Sequence, residues 1–416
     1  MHDTIEAIAK IALVIFSLMT AAAYLVLLER WMAAWVQDRR GPNRVGIPLT
    51  KIKMFGLGQP LADGLKMIFK EEYTPGHVDK ALYTLAPISI LTAALAIFAV
   101  IPFGSIIPPV GFGWDQPINL VVAPNIDVGM IYIFALSSIA VYGVILGGWA
   151  SNNKYSFLGG LRSSAQLISY EIPLGLGILG VVLASGSLRL DRIINAQAES
   201  GVWNLFSQPL GFVVLVTAAF AEAARVPFDL PECEQELIGG YHTEYSGLRL
   251  LMYLIAEFLH MVTAAFLIVI LFLGGWHFWF ITGSAGLADG AESITWVVAV
   301  LRIVVFTVKI MGVILFFMLV RWSWPRFRFD QLMNLAWKVM LPLGLVNLVT
   351  VATLVEFQRP LENMLGFGAT LLAVVVAWSV AFAAWMGAGT LAPLHTENRP
   401  RPSQKSSLEI ETSTNL

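Results

Sequence analysis

Long apolar runs separated by short polar connections organise this chain. In order they fall at about 8–28, 85–103, 128–149, 165–185, 211–226, 250–275, 296–320, 338–355 and 366–389. A helix needs roughly 20 apolar residues to cross the hydrocarbon core of a bilayer. The pattern therefore predicts an all-α integral membrane protein with about nine transmembrane helices. The run at 211–226 is short for a full crossing, which predicts a tilted helix or one end held in protein rather than lipid. Between the first two runs, Leu61, Leu65, Ile68 and Phe69 recur at helical spacing with Asp63, Lys66 and Lys70 between them. That is the signature of an amphipathic helix lying along the membrane surface. Residues 282–292 read as a plain outer loop, and Trp276, Phe278 and Trp279 before it as an interfacial aromatic belt. No internal repeat is visible. The expected organisation is a polytopic domain over 1–394 and a disordered tail over 395–416, where Pro, Ser, Thr and Asn displace apolar residues.

Composition agrees with the pattern. Of 416 residues, 57% are hydrophobic and only 13% charged, against about a quarter charged in a soluble domain. The net charge of −2 says little about partners, because the basic residues are so unevenly placed. The connection after the first run holds Arg30, Arg39, Arg40, Arg44, Lys51, Lys53, Lys66, Lys70 and Lys80, whereas those after the second and sixth hold no Lys or Arg. By the positive-inside rule the odd-numbered connections face the cytoplasm, the N-terminus lies outside and the tail lies inside. Asp3 and Glu6 outnumber Lys10 ahead of the first run, the reverse of a secretory signal, so that run is expected to be retained as a span. Cys233 is the single cysteine. It has no partner for an internal disulfide, and iron–sulfur clusters usually take four thiolates, so a redox centre is expected in another chain.

The chemistry concentrates on the cytoplasmic side. Residues 37–46 read QDRRGPNRVG, richer in arginine than attraction to anionic lipid requires, and the planar fork of arginine suits fixed pairs with carboxylates. Between the fifth and sixth spans, residues 221–247 crowd together Glu222, Asp229, Glu232, Glu234, Glu236 and Glu244. Pro227 and Pro231 keep this stretch from forming one helix. Glu232, Glu234 and Glu236 are close enough to raise one another's proton affinity; a solvated acidic loop is the plainer alternative. Within the spans stand Glu171, Glu222 and Glu257, all in the cytoplasmic half, with Tyr170, Tyr253 and His260 as candidate relay partners. Each acid alone reads as a buried group paired with a neighbour, as Glu222 would be with Arg225 one turn on. Three acids at one depth favour a linked proton path. Lys309 adds a base in the seventh span, as counter-ion or relay. His242 is too isolated to signal a metal.

Five segments occur in order: RRGPNRVG, QPLADGLKMIFKEE, YEIP, AEAARVPFDLPECEQELIGGYHTEYSG and RFRFDQLMNLAWKVMLPL. Together they resemble the quinone-site membrane subunit family of respiratory complex I, the proton-pumping NADH–quinone oxidoreductase, over roughly residues 8–356. The long acidic motif is the specific one. The resemblance implies a subunit of the inner membrane of a bacterium, at the junction of the membrane and peripheral arms, lining the chamber through which quinone such as ubiquinone is reduced. It implies no cofactor bound by this chain, with FMN and iron–sulfur clusters in partner subunits and no nucleic acid. Glu171, Glu222 and Glu257 correspond to the family's buried acidic row. Glu29, Arg30, Arg39, Arg40, Arg44 and Asp63 match its first-loop motif, and Arg225, Asp229, Glu232, Glu234, Glu236 and Glu244 its acidic loop. Departures are Trp31 where the family usually carries lysine, Trp322-Ser323-Trp324 before Pro325, extra lysines within 47–57, and the ninth span. The rival readings are a membrane subunit of a hydrogenase or formate-linked complex, which the complete RRGPNRVG and GYHTEYSG motifs disfavour, and a free-standing proton-coupled transporter, which predicts a repeat.

Overall fold

The computed structural model of the chain describes residues 2–46, 55–108, 118–124, 126–230, 238–279, 282, 295–365 and 367–391. Those residues are helical almost throughout, and the one extended pairing among them is an isolated antiparallel bridge, Ile107 to Ile118. The helices are α1 (His2–Val36), α2 (Gln59–Phe69), α3 (Lys80–Ile97), α4 (Gly129–Ala150), α5 (Lys154–Ser185), α6 (Leu190–Ser200), α7 (Asn204–Ser207) and α8 (Pro209–Glu222). After a single 3-10 turn (Gly240–His242) follow α9 (Gly247–Phe272), α10 (Trp296–Ser323), α11 (Phe329–Asn334), α12 (Leu341–Leu365) and α13 (Phe367–Leu391). A π-helical turn, Leu335–Met340, joins α11 to α12 without a break.

Among the described residues eight helices are long and apolar enough to cross a membrane, and the shorter apolar helix α8 accounts for the fifth run. Several extend beyond the apolar run that predicts them. α5 starts at Lys154 rather than near 165, because Asn153 caps it by accepting from the Tyr155 N–H at 2.9 Å. The eighth span starts at Phe329 rather than 338, through the π-helical turn. In both cases the added turns are polar enough to stand outside the hydrocarbon.

Packing places α9 at the centre. Of its most apolar window 78% is buried inside the protein, against 6% for α13. α9 packs on α3 and α10, α4 lies between α3 and α5, and α5 packs on α8 and α12. α4 and α5 meet through glycine: a Cβ on Gly148 would stand 3.2 Å from the Gly160 Cα, the small-residue contact that lets helices approach closely where lipid supplies no hydrophobic drive. The ninth helix, α13, lies along α12 and α8, and the Trp378 indole N–H donates to the Phe206 carbonyl at 3.0 Å. Along the same side α13 exposes Val375, Phe382, Trp385 and Met386, as expected of a surface turned to lipid. Trp276 is not part of an interfacial belt. It is buried edge-on against Phe306, because the chain turns inward at Gly274 and Gly275.

The amphipathic helix forms as predicted. α2 buries none of its residues, and Leu61, Leu65, Ile68 and Phe69 present an unpartnered apolar stripe.

Candidate functional site: a chamber, an ion-pair seal and a buried acidic row

α1, α2, α9 and α10 diverge at the end of the bundle that carries the arginine-rich loop, enclosing a cavity of about 800 Å³. Its wall is apolar along Met19, Val26, Leu251, Leu254 and Phe258, and charged where Glu29, Arg30, Arg39, Asp63, Arg225, Glu257 and Arg321 reach it. That combination suits an elongated apolar molecule with a polar head, in a volume typical of small-molecule sites.

The charges are organised around Glu29. It is only 8% exposed, and the Arg321 guanidinium contacts its Oε1 directly. Arg225 Nη1 stands 3.5 Å from its Oε2. Arg225 is itself buried, with its other terminal nitrogen 3.9 Å from Glu257 Oε2 and its guanidinium 4.3 Å above the Phe258 ring. Buried charges persist only when paired in this way. Arg225 does not pair with Glu222 as its spacing suggests. α8 stops at Glu222 and Ala224 adopts a positive φ of 48°, so the chain turns and sends the Arg225 side chain to α1 and α9 instead. Nearer the surface, Arg30 donates to Asp63 at 2.6 Å and Gln59 to the same carboxylate at 3.0 Å, which fixes α2 against α1. Arg39 binds Gln37 at 2.7 Å, while Arg40 and Arg44 are exposed.

Behind this cluster is a second, much smaller cavity of about 50 Å³, lined by Ser137, Ser163, Glu171, Glu222, Tyr241, Glu257 and His260. The three acids come from α5, α8 and α9, so the structure assembles what their common depth suggests. Ser138 on α4 donates to Glu171, and Tyr241 donates to Glu257 at 3.1 Å. Glu257 lines both cavities. Tyr170 and Tyr253 are not brought into this row: their hydroxyls donate to the backbone carbonyls of Leu332 and Gly143, at 2.9 and 3.3 Å.

Lys309 is not brought to the row either. Its ammonium donates to the carbonyls of Leu273, Gly275 and His277 at 2.6, 3.0 and 2.6 Å and lies 4.4 Å from the centre of the Trp203 ring. All three protons are spent on the last carbonyls of α9 and the turn beyond it, the role of a cationic helix cap.

Of the acidic loop, Glu232, Glu234 and Glu236 lie outside the described residues. Glu244 accepts from Asn153 Nδ2 at 2.6 Å, and the Tyr83 hydroxyl donates to the Glu244 carbonyl at 2.6 Å. The turn just before Glu244, Gly240–His242, is pressed onto α5. A Cβ on Gly159 would stand 2.6 Å from the Gly240 Cα and 2.8 Å from the Tyr241 nitrogen. Both are backbone atoms that cannot rotate aside, so Gly159→Ala is expected to displace residues 239–247. Limited proteolysis of the variant should show this segment cut faster than in the parent protein; equal rates would mean the contact is not structural.

Asp229 lies beyond α8, and Arg326 Nη2 stands 3.1 Å from its Oδ2. Burial pushes its carboxyl up to about 6 despite the opposing Arg326 and Arg321 charges, and its Oδ1 has no hydrogen-bond partner among the described residues. The sign of the stability effect follows. Below the ordinary value of 3.8, folded and unfolded forms both hold the proton. As pH rises through about 6 the folded carboxyl must ionise where it is poorly solvated, so the stability this group contributes at low pH is lost. Asp229→Asn is expected to flatten that component when thermal unfolding in detergent is followed from about pH 4 to about pH 7. An unchanged slope would assign it to other carboxylates.

Sequence reading missed Arg321 and Tyr241. In the sequence Arg321 is only a basic residue at the end of the seventh span, with nothing to mark its pairing with Glu29. Tyr241 sits in a glycine-rich turn with no periodicity to mark it. Among the described residues no three His, Cys, Asp or Glu side chains are grouped to hold a metal ion.

These features define a class: an all-helical, multi-pass membrane protein in which a buried ion-pair cluster separates an amphiphile-sized chamber from a row of carboxylates. The chain belongs to the NADH dehydrogenase family, whose model matches residues 9–352. It is similar to an NADH-quinone oxidoreductase subunit of Geobacter metallireducens, 45% identical over 82% of this chain and 94% of that protein. It is 46% identical to the corresponding NADH-quinone oxidoreductase subunit of Cytophaga hutchinsonii, over 83% of this chain and 93% of the relative. With the NADH-quinone oxidoreductase subunit 8 of Thermus thermophilus it shares 43% identity over 88% and 92% of the two chains. The family match ends before α13.

Proposed function

We propose that this chain is a membrane subunit of a proton-translocating NADH–quinone oxidoreductase in the inner membrane of a bacterium, with its arginine-rich end toward the cytoplasm. The larger cavity receives quinone, and the acidic row carries the resulting change in protonation into the membrane arm. Electrons come from FMN and iron–sulfur clusters in partner subunits, and this chain supplies shape, charge and proton-binding groups.

The observation that carries the reading is Glu257, a carboxylate bordering both the chamber and the acidic cavity. Reducing quinone to quinol takes two electrons and two protons, so negative charge arises in the chamber until the protons arrive. Charge appearing there competes with Glu257 and Glu29 for Arg225 and Arg321, and the proton occupancy of Glu257 then responds. Glu171 and Glu222 share the cavity behind it and interact with whatever charge Glu257 holds. The exposed apolar stripe of α2 fits a helix lying on the membrane beside the mouth.

Isolating the native complex tests this directly. It is expected to co-purify with peripheral subunits, to oxidise NADH with a quinone acceptor and to acidify the far side of reconstituted vesicles. Hydrogen or formate oxidation without quinone reduction, or transport by the isolated single chain, would sink the reading.

A further inference from the structure

Tyr241 belongs to no membrane-spanning helix, yet its side chain reaches the acidic cavity beside Glu171, Glu222 and His260. It is held there from three sides. The backbone of its turn lies against Gly159 of α5 with no room for a Cβ. Gly239 and Gly240 take positive φ values of 115° and 63°, which fold the turn inward. The phenol ring stands edge-on to Tyr253 at 5.2 Å and is 3% exposed. With the ring so fixed, its hydroxyl donates to Glu257 Oε1 at 3.1 Å.

The rest of this segment is tied to α3 and to the connection between α4 and α5. Tyr245 stacks on Tyr83 at 4.1 Å, and Glu244 accepts from Asn153 in the connection between α4 and α5. Residues 239–247 thus link the half-buried Glu244, held by Asn153, to Glu257, an acid that lines both cavities. Glu257 faces Arg225 from one side and Tyr241 from the other, with His260 one turn along the same helix. Displacing the segment by a few tenths of a nanometre breaks the phenol contact and leaves the arginine contact, because Arg225 comes from a different stretch of chain.

We propose that Tyr241 is a positioning residue that makes the proton occupancy of Glu257 depend on the placement of the 239–247 segment. Movement of this loop, and not only charge in the chamber, then decides when Glu257 takes up or releases its proton. The inference rests on the function proposed above and adds to it a second input to the same carboxylate, arriving through the connection between α8 and α9.

The test uses the whole complex in sealed vesicles, with NADH and a short-tailed benzoquinone, measuring protons moved per NADH oxidised. Tyr241→Phe keeps the ring and its packing and removes only the hydroxyl. The ratio is expected to fall by about two-fold or more, because a hydrogen bond to a charged group is a large share of what fixes its protonation. Since the ratio is counted per NADH, a lower yield of assembled complex does not alter it. Tyr132→Phe, which removes a hydroxyl bound to the Ala96 carbonyl at 3.2 Å, is expected to leave the ratio at the parent value. In a Glu257→Gln background, Tyr241→Phe is expected to add no further loss, since the two act through one contact. A parental ratio in Tyr241→Phe, an equal fall in Tyr132→Phe, or additive losses in the double variant would each overturn the inference. A parent complex unable to reduce quinone would take down the proposed function itself, so the two failures are told apart by the parent alone.

Discussion

Glu222→Gln is expected to assemble normally and to lose most of its proton-coupled quinone reduction, by roughly ten-fold or more. Glutamine has nearly the volume of glutamic acid and keeps hydrogen-bonding capacity, so α8 should still seat against α5 and α9. What it lacks is the ability to bind and release a proton. Glu222 lines the 50 Å³ cavity with Glu171 and Glu257, and reaches a further narrow gap lined by His260 and Thr263 deeper between α4, α5 and α9. Among the described residues it is the carboxylate that lines both of these spaces. Electron entry should be untouched, so NADH oxidation by a soluble artificial acceptor serves as the internal control. Full coupled turnover in the variant would remove Glu222 from the path and leave Glu171 and Glu257 as a local pair.

The membrane architecture was legible because nine apolar runs dominate the chain, and apolar length alone separates a span from a loop in lipid. The positions of the acids along their spans were legible for the same reason: helical rise converts sequence distance into depth, and Glu171, Glu222 and Glu257 meet in one cavity. What sequence spacing could not give was direction around turns. The expectation that Arg225 pairs with Glu222 assumes that the helix continues between them, whereas it ends at Glu222 and the positive φ of Ala224 reverses the path. Lys309 shows the opposite limit. Its position within an apolar span marks it as unusual, but only the neighbouring α9 terminus reveals that three carbonyls surround the ammonium. Tyr241 is the instructive omission. Glycines 239 and 240 mark a turn, but only their positive φ values show that it aims a phenol at the buried row.

The second large effect is expected at Glu29, and here the loss is of the fold rather than of proton transfer. Glu29→Ala leaves Arg225 and Arg321 facing each other across the site of the missing carboxylate. Arg225 is 7% exposed, and the nearest carboxylate described beside it after Glu29 is the more distant Glu257, at 3.9 Å. Removing one partner of a buried pair typically costs about 3–5 kcal/mol, mostly through the charge left behind. The variant should be sparse in membranes and unfold at lower temperature in detergent. Arg321→Ala removes the partner on the other side, but its side chain is 28% exposed and Glu29 retains Arg225, so water and the second arginine offset much of the change. A loss nearer ~1 kcal/mol is expected there. The two alanine variants thus separate two accounts of the cluster. If Glu29 is the hub holding α1 to α9 and α10, its loss exceeds that of Arg321 severalfold. Equal losses would mean that the arginines hold the chamber through their apolar contacts, such as Arg225 over Phe258, and that Glu29 only neutralises them.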